Sequence, residues 1–393
     1  MMKSNWKKVK LGDIAAINNK SIGKKYPFDI IEYVDISSVG TGILFETTKY
    51  DLDKAPSRAK RLVKAGDVIL STVRPNRRSF FYFKNPQDNL VISTGFAVLT
   101  PDSNIDSKFL YYIVFSQSFT DYLTNNAKGA TYPAVDSETI ERAEIYIPER
   151  IEDQKKIASI LSGYDDLIEN NNRRIKILEE MAQAIYKQWF VDFKFPGYEK
   201  VKMVDSSAGE AGGELGSMPE GWEVVCVEDV IKRVQSGKKY DNKTAKPIGA
   251  IPILDQGRSG FIGYHDDEPG VMASKENPII VFANHTCYQN LIMFPFSAIQ
   301  NILPFLPNDK KFRNIYWLHW ATKDLVSFND YKGHWPEFIS KRLFLPNKEL
   351  CQKFGEIIEP MIVAKFELEK SNSILRKTRD LLLPKLMSEG MII

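Results

Sequence analysis

The feature that most constrains this 393-residue chain is that it says one thing twice. Near the start, Trp6, Val9, Leu11, Asp13 and Ile14 are spaced as Trp222, Val225, Val227, Asp229 and Val230 are near the midpoint. Each opening reads as a short strand entering a helix start. Lys128-Gly129-Ala130-Thr131-Tyr132-Pro133 is echoed by Lys332-Gly333-His334-Trp335-Pro336. Ile145-Tyr146-Ile147-Pro148 is echoed by Leu343-Phe344-Leu345-Pro346, and Gln154-Lys155 and Gln352-Lys353 follow at equal distance. A duplicated unit predicts two similar domains, each with short β-branched and aromatic runs such as Asp67 to Val73 and Pro278 to Phe282.

Each unit closes on a long helical stretch. In the first, Ile157, Tyr164, Asn171, Leu178 and Ile185 recur every seven residues beside Leu161, Ile168, Ile175, Ala182 and Trp189. A helix from Glu152 to Val191 extends roughly 60 Å at about 1.5 Å per residue and needs a partner for its apolar stripe. The second stretch offers Phe354, Met361, Leu368, Leu375 and Leu382, with a poorer companion row of Ile358, Lys365, Asn372, Arg379 and Leu386. Asn171 and Asn372 read as register devices within the seams. The polar companion residues depart from an ideal seam. Pro360 and Pro384 predict a kink or fraying. Ser206 to Ser217, rich in glycine and small polar residues, reads as a flexible linker that lets the chain turn back and pair the helices antiparallel.

Catalytic patterns are missing. There is no phosphate-binding Gly-x-x-x-x-Gly-Lys-Ser/Thr loop and no Asn/Asp-Pro-Pro-Tyr/Phe element of amino-methyltransferases. Gly257, Gly260 and Gly263 read as a turn-rich loop, and Asp102 with Asp106 as an exposed turn rather than a nuclease metal site. His285 and Cys287 lack a second ligand pair for zinc, and Asp165-Asp166 reads as a solvated helix face. The isolated cysteines Cys226, Cys287 and Cys351 fit reduced thiols, and with no export signal or long apolar run they predict a cytoplasmic protein.

With a net charge of +3, any polyanion surface must come from local clustering. From Lys54 to Arg78 the chain carries Lys54, Arg58, Lys60, Arg61, Lys64, Arg74, Arg77 and Arg78 against Asp67 alone. From Lys232 to Lys246, Arg233, Lys238, Lys239 and Lys243 join the two ends against Asp241 alone. Such density neutralises phosphates, and arginines also fork onto guanine edges. A solvated basic face is the plainer alternative, weakened by recurrence in both repeats. The residues assigned to DNA contact are Arg58, Lys60, Arg61, Arg74, Asn76, Arg77 and Arg78, with Lys128, Thr131 and Tyr132 from the first echoed loop. In the second unit they are Lys238, Lys239, Tyr240 and Arg258, with Lys332, His334 and Trp335 from the second loop. For both loops, a tight turn with its ring packed inward competes with stacking on a base.

In order and duplication these features resemble the specificity subunit of type I restriction-modification systems. The resemblance also rests on Tyr33 to Val39, Ser93 to Val98, Gly129 to Pro133, the Ile147-Pro148 to Ile157 junction, Met181 to Phe193 and Thr378 to Leu386. It implies an α+β chain: two pseudo-repeated mixed α/β target-recognition domains (1–148 and 221–346) separated by a pair of long antiparallel coiled-coil helices. These are the central conserved helix (149–195) and the C-terminal one (347–393), with a linker at 196–220. It further implies a non-catalytic subunit that grips a bipartite duplex DNA target and docks methyltransferase and restriction/translocase subunits. S-adenosylmethionine, ATP and Mg would belong to those partners, with no cofactor in this chain and no membrane. The alternatives are a stand-alone metal-dependent nuclease with scattered catalytic acids, or a coiled-coil interaction protein without DNA binding.

Overall fold

The computed structural model describes residues 6–205, 216–257, 260–308, 314–330 and 332–388. The chain divides into two compact units, Met1–Asn170 with Asn372–Ile393, and Asn171–Ser371. The divisions fall inside the two long helices, so each unit owns part of both. Among the described residues, no helix is long and apolar enough to cross a membrane.

The repeat is visible in the strand pairing. In the first unit, Trp6–Lys10 pairs antiparallel with Glu144–Pro148 and runs into a short 3-10 turn, where the Asp13 carboxylate accepts the Lys10 amide at 3.2 Å. In the second, Glu223–Cys226 pairs antiparallel with Arg342–Leu345 and runs into the helix Val227–Val230, where Asp229 accepts the Cys226 amide at 3.1 Å. An acid three residues on satisfies an otherwise unpaired donor, which is why Asp13 and Asp229 recur at one spacing.

Each unit then builds a four-stranded antiparallel sheet of the same order. In the first it runs Ala15–Ile17, Phe96–Pro101, Val68–Ser71, Phe80–Tyr82; in the second, Ile231–Arg233, Ile302–Pro307, Ile279–Ala283, Gln289–Ile292. The buried helix Ser107–Phe115 follows the first sheet and Ile315–Thr322 the second. Further sheets diverge. The first unit adds Thr48–Asp51, Ile30–Val34, Leu90–Ser93 and Ala59–Leu62; the second adds Phe261–His265, Ile251–Leu254 and Ser297–Ala298.

The long helices span Ile151–Tyr186 and Lys348–Leu386. Every residue of the four expected heptad rows is buried or half-buried. In the first unit, Ile157, Leu161, Leu383 and Leu386 join the core formed by Leu11, Phe109 and Tyr112. In the second, Glu179 pairs with Lys365 at 2.5 Å while Tyr186 and Trp189 meet Phe354, so one helix ascends as the other descends. The polar companion row turns inward: Lys365 meets Glu179, Arg379 meets Asp165, and Asn372 is 2% exposed. These residues face the seam.

Several expectations are corrected. The second helix runs unbroken through Pro360, whose position is exposed while Phe354 and Ile358 pack on the other face; tertiary burial outweighs the lost hydrogen bond. The first helix ends in a π turn, Lys187–Val191, which carries Trp189 and Phe190 into the core against Phe354 and Trp222. Of the expected linker, residues 206–215 lie outside the described residues. Its flanks are ordered into paired strands, Met203–Asp205 with Ser217–Pro219. Asp165 is not on a solvated face; it accepts the Tyr112 hydroxyl at 2.5 Å and pairs with Arg379.

His319, 7% exposed in its helix, supplies a pH test. Burial, aided by Lys323 and Lys365, pushes its pKa down from 6.5 to about 3. The native ring therefore stays neutral, while the unfolded ring takes up a proton below its ordinary pKa, so stability falls with acid. Between pH 6.5 and 5 the loss from this group is about 2 kcal/mol. Denaturant titrations should show this fall in the wild type and a clearly smaller one in His319→Gln; equal slopes would remove His319 as the cause.

Candidate nucleic-acid interface

In the first unit the arginine cluster forms a built turn. Pro75–Arg77 is a single 3-10 turn flanked by Arg74 (φ 50°) and Arg78 (φ 56°), both left-handed. That conformation costs a non-glycine residue on the order of 1 kcal/mol and persists only where neighbours enforce it. The Arg74 amide donates to the Pro133 carbonyl at 2.7 Å, and its guanidinium donates to the Thr131 carbonyl at 3.3 Å. The same guanidinium lies 4.5 Å from the Tyr132 ring centroid. The Thr41 hydroxyl donates to the Arg78 carbonyl at 3.0 Å. Arg78 points inward, donating to the Phe115 carbonyl at 2.5 Å and to Gln117. Between these anchors Asn76 and Arg77 are exposed.

The echoed loop completes this surface. Lys128 and Ala134 exchange backbone hydrogen bonds at 2.9 Å, and Gly129 at φ 99° lets the loop fold back, since a Cβ there would sit 3.1 Å from the Tyr132 carbonyl. Tyr132 is left 67% exposed. Lys128 pairs with Asp136 at 3.4 Å, both well exposed, which holds little energy and leaves the lysine displaceable. The structure therefore brings Arg74, Asn76, Arg77, Lys128, Thr131 and Tyr132 together.

Arg58, Lys60 and Arg61 belong to a different sheet, flanking or within Ala59–Leu62. They connect toward the turn through Thr94, whose amide donates to the Arg58 carbonyl, and through Thr72, whose amide and hydroxyl both donate to the Gly95 carbonyl, each at 2.9 Å. Arg58 and Lys60 are exposed, whereas burial lowers the pKa of Arg61. Arg78 is corrected from a DNA contact to an internal anchor.

Sequence reasoning missed the neighbouring turn from Val39 to Phe45. Thr41 ties it to Arg78, and Ile43 and Phe45 are 44% and 65% exposed. Its signal was Gly40-Thr41-Gly42 between aliphatic runs: a Cβ on Gly40 would meet the Phe45 ring at 2.9 Å, and Gly42 has φ 71°.

The second unit does not reproduce this arrangement. His334 is fully buried, and Trp335 opens the helix Trp335–Ser340 with its ring against Phe282, Phe305 and Phe338 and under Arg233 at 4.6 Å. Both are corrected from DNA contacts to core. Tyr240, 5% exposed, stacks on His265 at 4.2 Å and donates to Asp267 at 2.9 Å. Lys238 pairs with Asp267 and Lys246 with Asp266, each at 2.8 Å, so acids from a distant strand end neutralise part of the cluster. Hydrogen bonding to Asp267 raises the Lys238 pKa; burial, then the Arg233 charge, lowers that of Lys239, which reaches the Ser236 hydroxyl. Lys332 remains exposed, and Arg258 lies outside the described residues.

The acids considered for metal chemistry are structural. Asp102 accepts the Asn104 amide at 2.7 Å, and Asp106 caps Ser107–Phe115 through the Phe109 amide at 2.9 Å. Among the described residues, no group of three or more His, Cys, Asp and Glu side chains is placed to hold a metal ion. Cys226, Cys287 and Cys351 form no disulfide with one another.

The two aromatic echoes should separate in stability. Tyr132→Ala is expected to change unfolding free energy by no more than about 0.5 kcal/mol. Trp335→Ala should cost about 3 kcal/mol or more. Denaturant unfolding of both variants checks this, and comparable losses would contradict the placement.

Residues 3–180 match the family described as "Type I restriction modification DNA specificity domain". The "Type I restriction enzyme MjaIX specificity subunit" of Methanocaldococcus jannaschii is 27% identical, over 83% of this chain and 78% of that protein. The "Type I restriction enzyme HindI specificity subunit" of Haemophilus influenzae is 25% identical, over 98% and 99%. Among solved structures, the S subunit of a type I restriction-modification system from M. genitalium shares the fold, with a TM-score of 0.57 at 17% identity, covering 100% of this chain and 98% of that one. Over most of its length this chain is similar in sequence to specificity subunits of type I restriction enzymes, and residues 3–180 match the DNA specificity domain of those systems.

Proposed function

We propose that this chain is the DNA-reading subunit of a type I restriction-modification complex, that it recognises a bipartite duplex target, and that it performs no chemistry itself. The observation that carries the reading is the pinned arginine turn of the first unit. Arg74 and Arg78 spend their side chains on anchoring, so that Asn76 and Arg77 stand exposed beside the Tyr132 ring. An exposed arginine and asparagine on a rigid turn suit base edges in the major groove, and the adjoining Lys128 suits phosphate. The second unit shares the sheet order but not the loop geometry, so its half-site is read by different residues, with Lys332 among the available cations.

Each long helix contributes to both units, which supports the helix pair as a spacer between two half-sites on the order of one duplex turn, about 34 Å, apart. Methyltransferase subunits would bring S-adenosylmethionine, and restriction/translocase subunits would bring ATP and Mg; this chain supplies the address.

Binding to duplexes carrying the preferred site, titrated against salt, tests the reading. Arg77→Ala should weaken specific binding by about 1–3 kcal/mol and relax preference at one half-site only. A uniform loss on all sequences would reduce Arg77 to a phosphate contact, and a wild type without salt-dependent DNA binding would favour a pure interaction protein. Inserting one heptad into both helices at facing positions adds about 10.5 Å of rise. The preferred gap should then lengthen by about three base pairs, at about 3.4 Å each. An unchanged gap refutes the spacer.

A further inference from the structure

Arg78, the last residue of the arginine turn, lies inside the first unit and meets the helix pair through one ring. Phe115, 3% exposed at the end of Ser107–Phe115, has the Arg78 guanidinium 5.4 Å from its centroid and the Arg379 guanidinium 4.3 Å from it. Arg379 is held by Asp165 of the first long helix and by Asp380 at 2.9 Å. Asp165 also accepts the hydroxyl of Tyr112, one turn before Phe115 on the same short helix. The short helix is therefore gripped by the recognition turn at its end and by the seam ion pair along its flank.

The two arginines are held unequally. Burial works against the charge of Arg379, but Asp165 and Asp380 outweigh it and hold the guanidinium more firmly protonated than usual. Among the described residues, the Arg78 guanidinium relies on a backbone carbonyl, Gln117 and the shared ring, and its Nε is buried without a hydrogen-bond partner. Burial first, and then the Arg379 charge, lower its pKa, with Asp380 opposing. Its position therefore follows that of its better-held neighbour.

We propose that Arg379 and Phe115 are positioning residues for base readout: the Asp165–Arg379 pair fixes Phe115, Phe115 fixes Arg78, and Arg78 sets the shape of the turn that presents Asn76 and Arg77. By reciprocity, DNA seated on the turn biases the same seam contact. This rests on the reading of that turn as the base-reading element of the first half-site.

The test uses the full chain and measures affinity for the preferred duplex and for duplexes with one base pair changed in either half-site. Arg379→Gln and Phe115→Leu should each reduce discrimination at the half-site read by Arg77 by about three- to tenfold and leave the other half-site unchanged. The double variant should be no worse than the poorer single one, because both break one chain of contacts. Arg379→Lys, which keeps the charge beside Asp165 but not the flat guanidinium, guards against loss of folding and should also relax that half-site. Lys365→Gln, in the seam of the second unit, should not. Unchanged discrimination in Arg379→Gln, Phe115→Leu and Arg379→Lys alike overturns the proposal. So does an equal loss at both half-sites accompanied by a smaller folded fraction, which marks a structural role alone. A wild type with no base discrimination instead refutes the functional reading and takes this proposal with it.

Discussion

The rest of the structure depends on a helix seam that is apolar along most of its length and charged at a few matched points. Buried ion pairs such as Asp165–Arg379 contribute little net stability, because desolvation offsets the attraction. Their effect is on register. Sliding one helix past the other by a heptad would take Arg379 and Lys365 away from Asp165 and Glu179 and set Ala158, Asn172 or Tyr186 opposite them. Only the same-helix acids Asp380 and Glu369 would remain, and the loss of the cross-helix carboxylates disfavours that alignment. Asn171 and Asn372, 9% and 2% exposed, add polar positions with the same preference.

That register decides how each unit is closed. Leu383 and Leu386, close to the end of the chain, sit in one core with Leu11 and Ile14, close to its start. Ala182, Trp189 and Phe190 from the first helix share a core with Phe354 and Ile358 from the second. Neither unit can complete its core from consecutive residues, so folding must bring distant segments together before either is stable.

What was legible in the sequence was what local periodicity and turn chemistry dictate. The heptad rows, the Asp13 and Asp229 turns and the strands ending at Pro148 and near Pro346 follow from spacing alone. The direction in which a loop residue points did not, because it depends on partners far along the chain. Lys238 and Lys246 looked free until Asp267 and Asp266 arrived from twenty or more residues away. His334 and Trp335 copy the pattern of the first loop, yet Asn284 draws their backbone amides inward and Phe338 and Phe282 cover the indole, whereas Tyr132 is supported from below by Arg74 and stays exposed. Gln154 and Gln352 match in position but not in use: Gln154 is fully buried and bonds Pro148, Asn104 and Asp106, while Gln352 is exposed and reaches Glu356. The two units keep the same sheet order while their loops differ, which is compatible with the proposed reading of a different half-site by each.

A rigid turn carries its recognition groups in place before binding, so little ordering entropy is lost when it meets a base. The second unit lacks such a turn, so under the proposed function the second part of the target is read by a surface of different construction. The most direct measurement is a genome-wide map of methylated bases in the host with and without this gene. The account predicts that deletion abolishes methylation at one motif made of two short defined blocks with a gap of constant length and free sequence. Loss of an uninterrupted motif, or no change at any site, would contradict it.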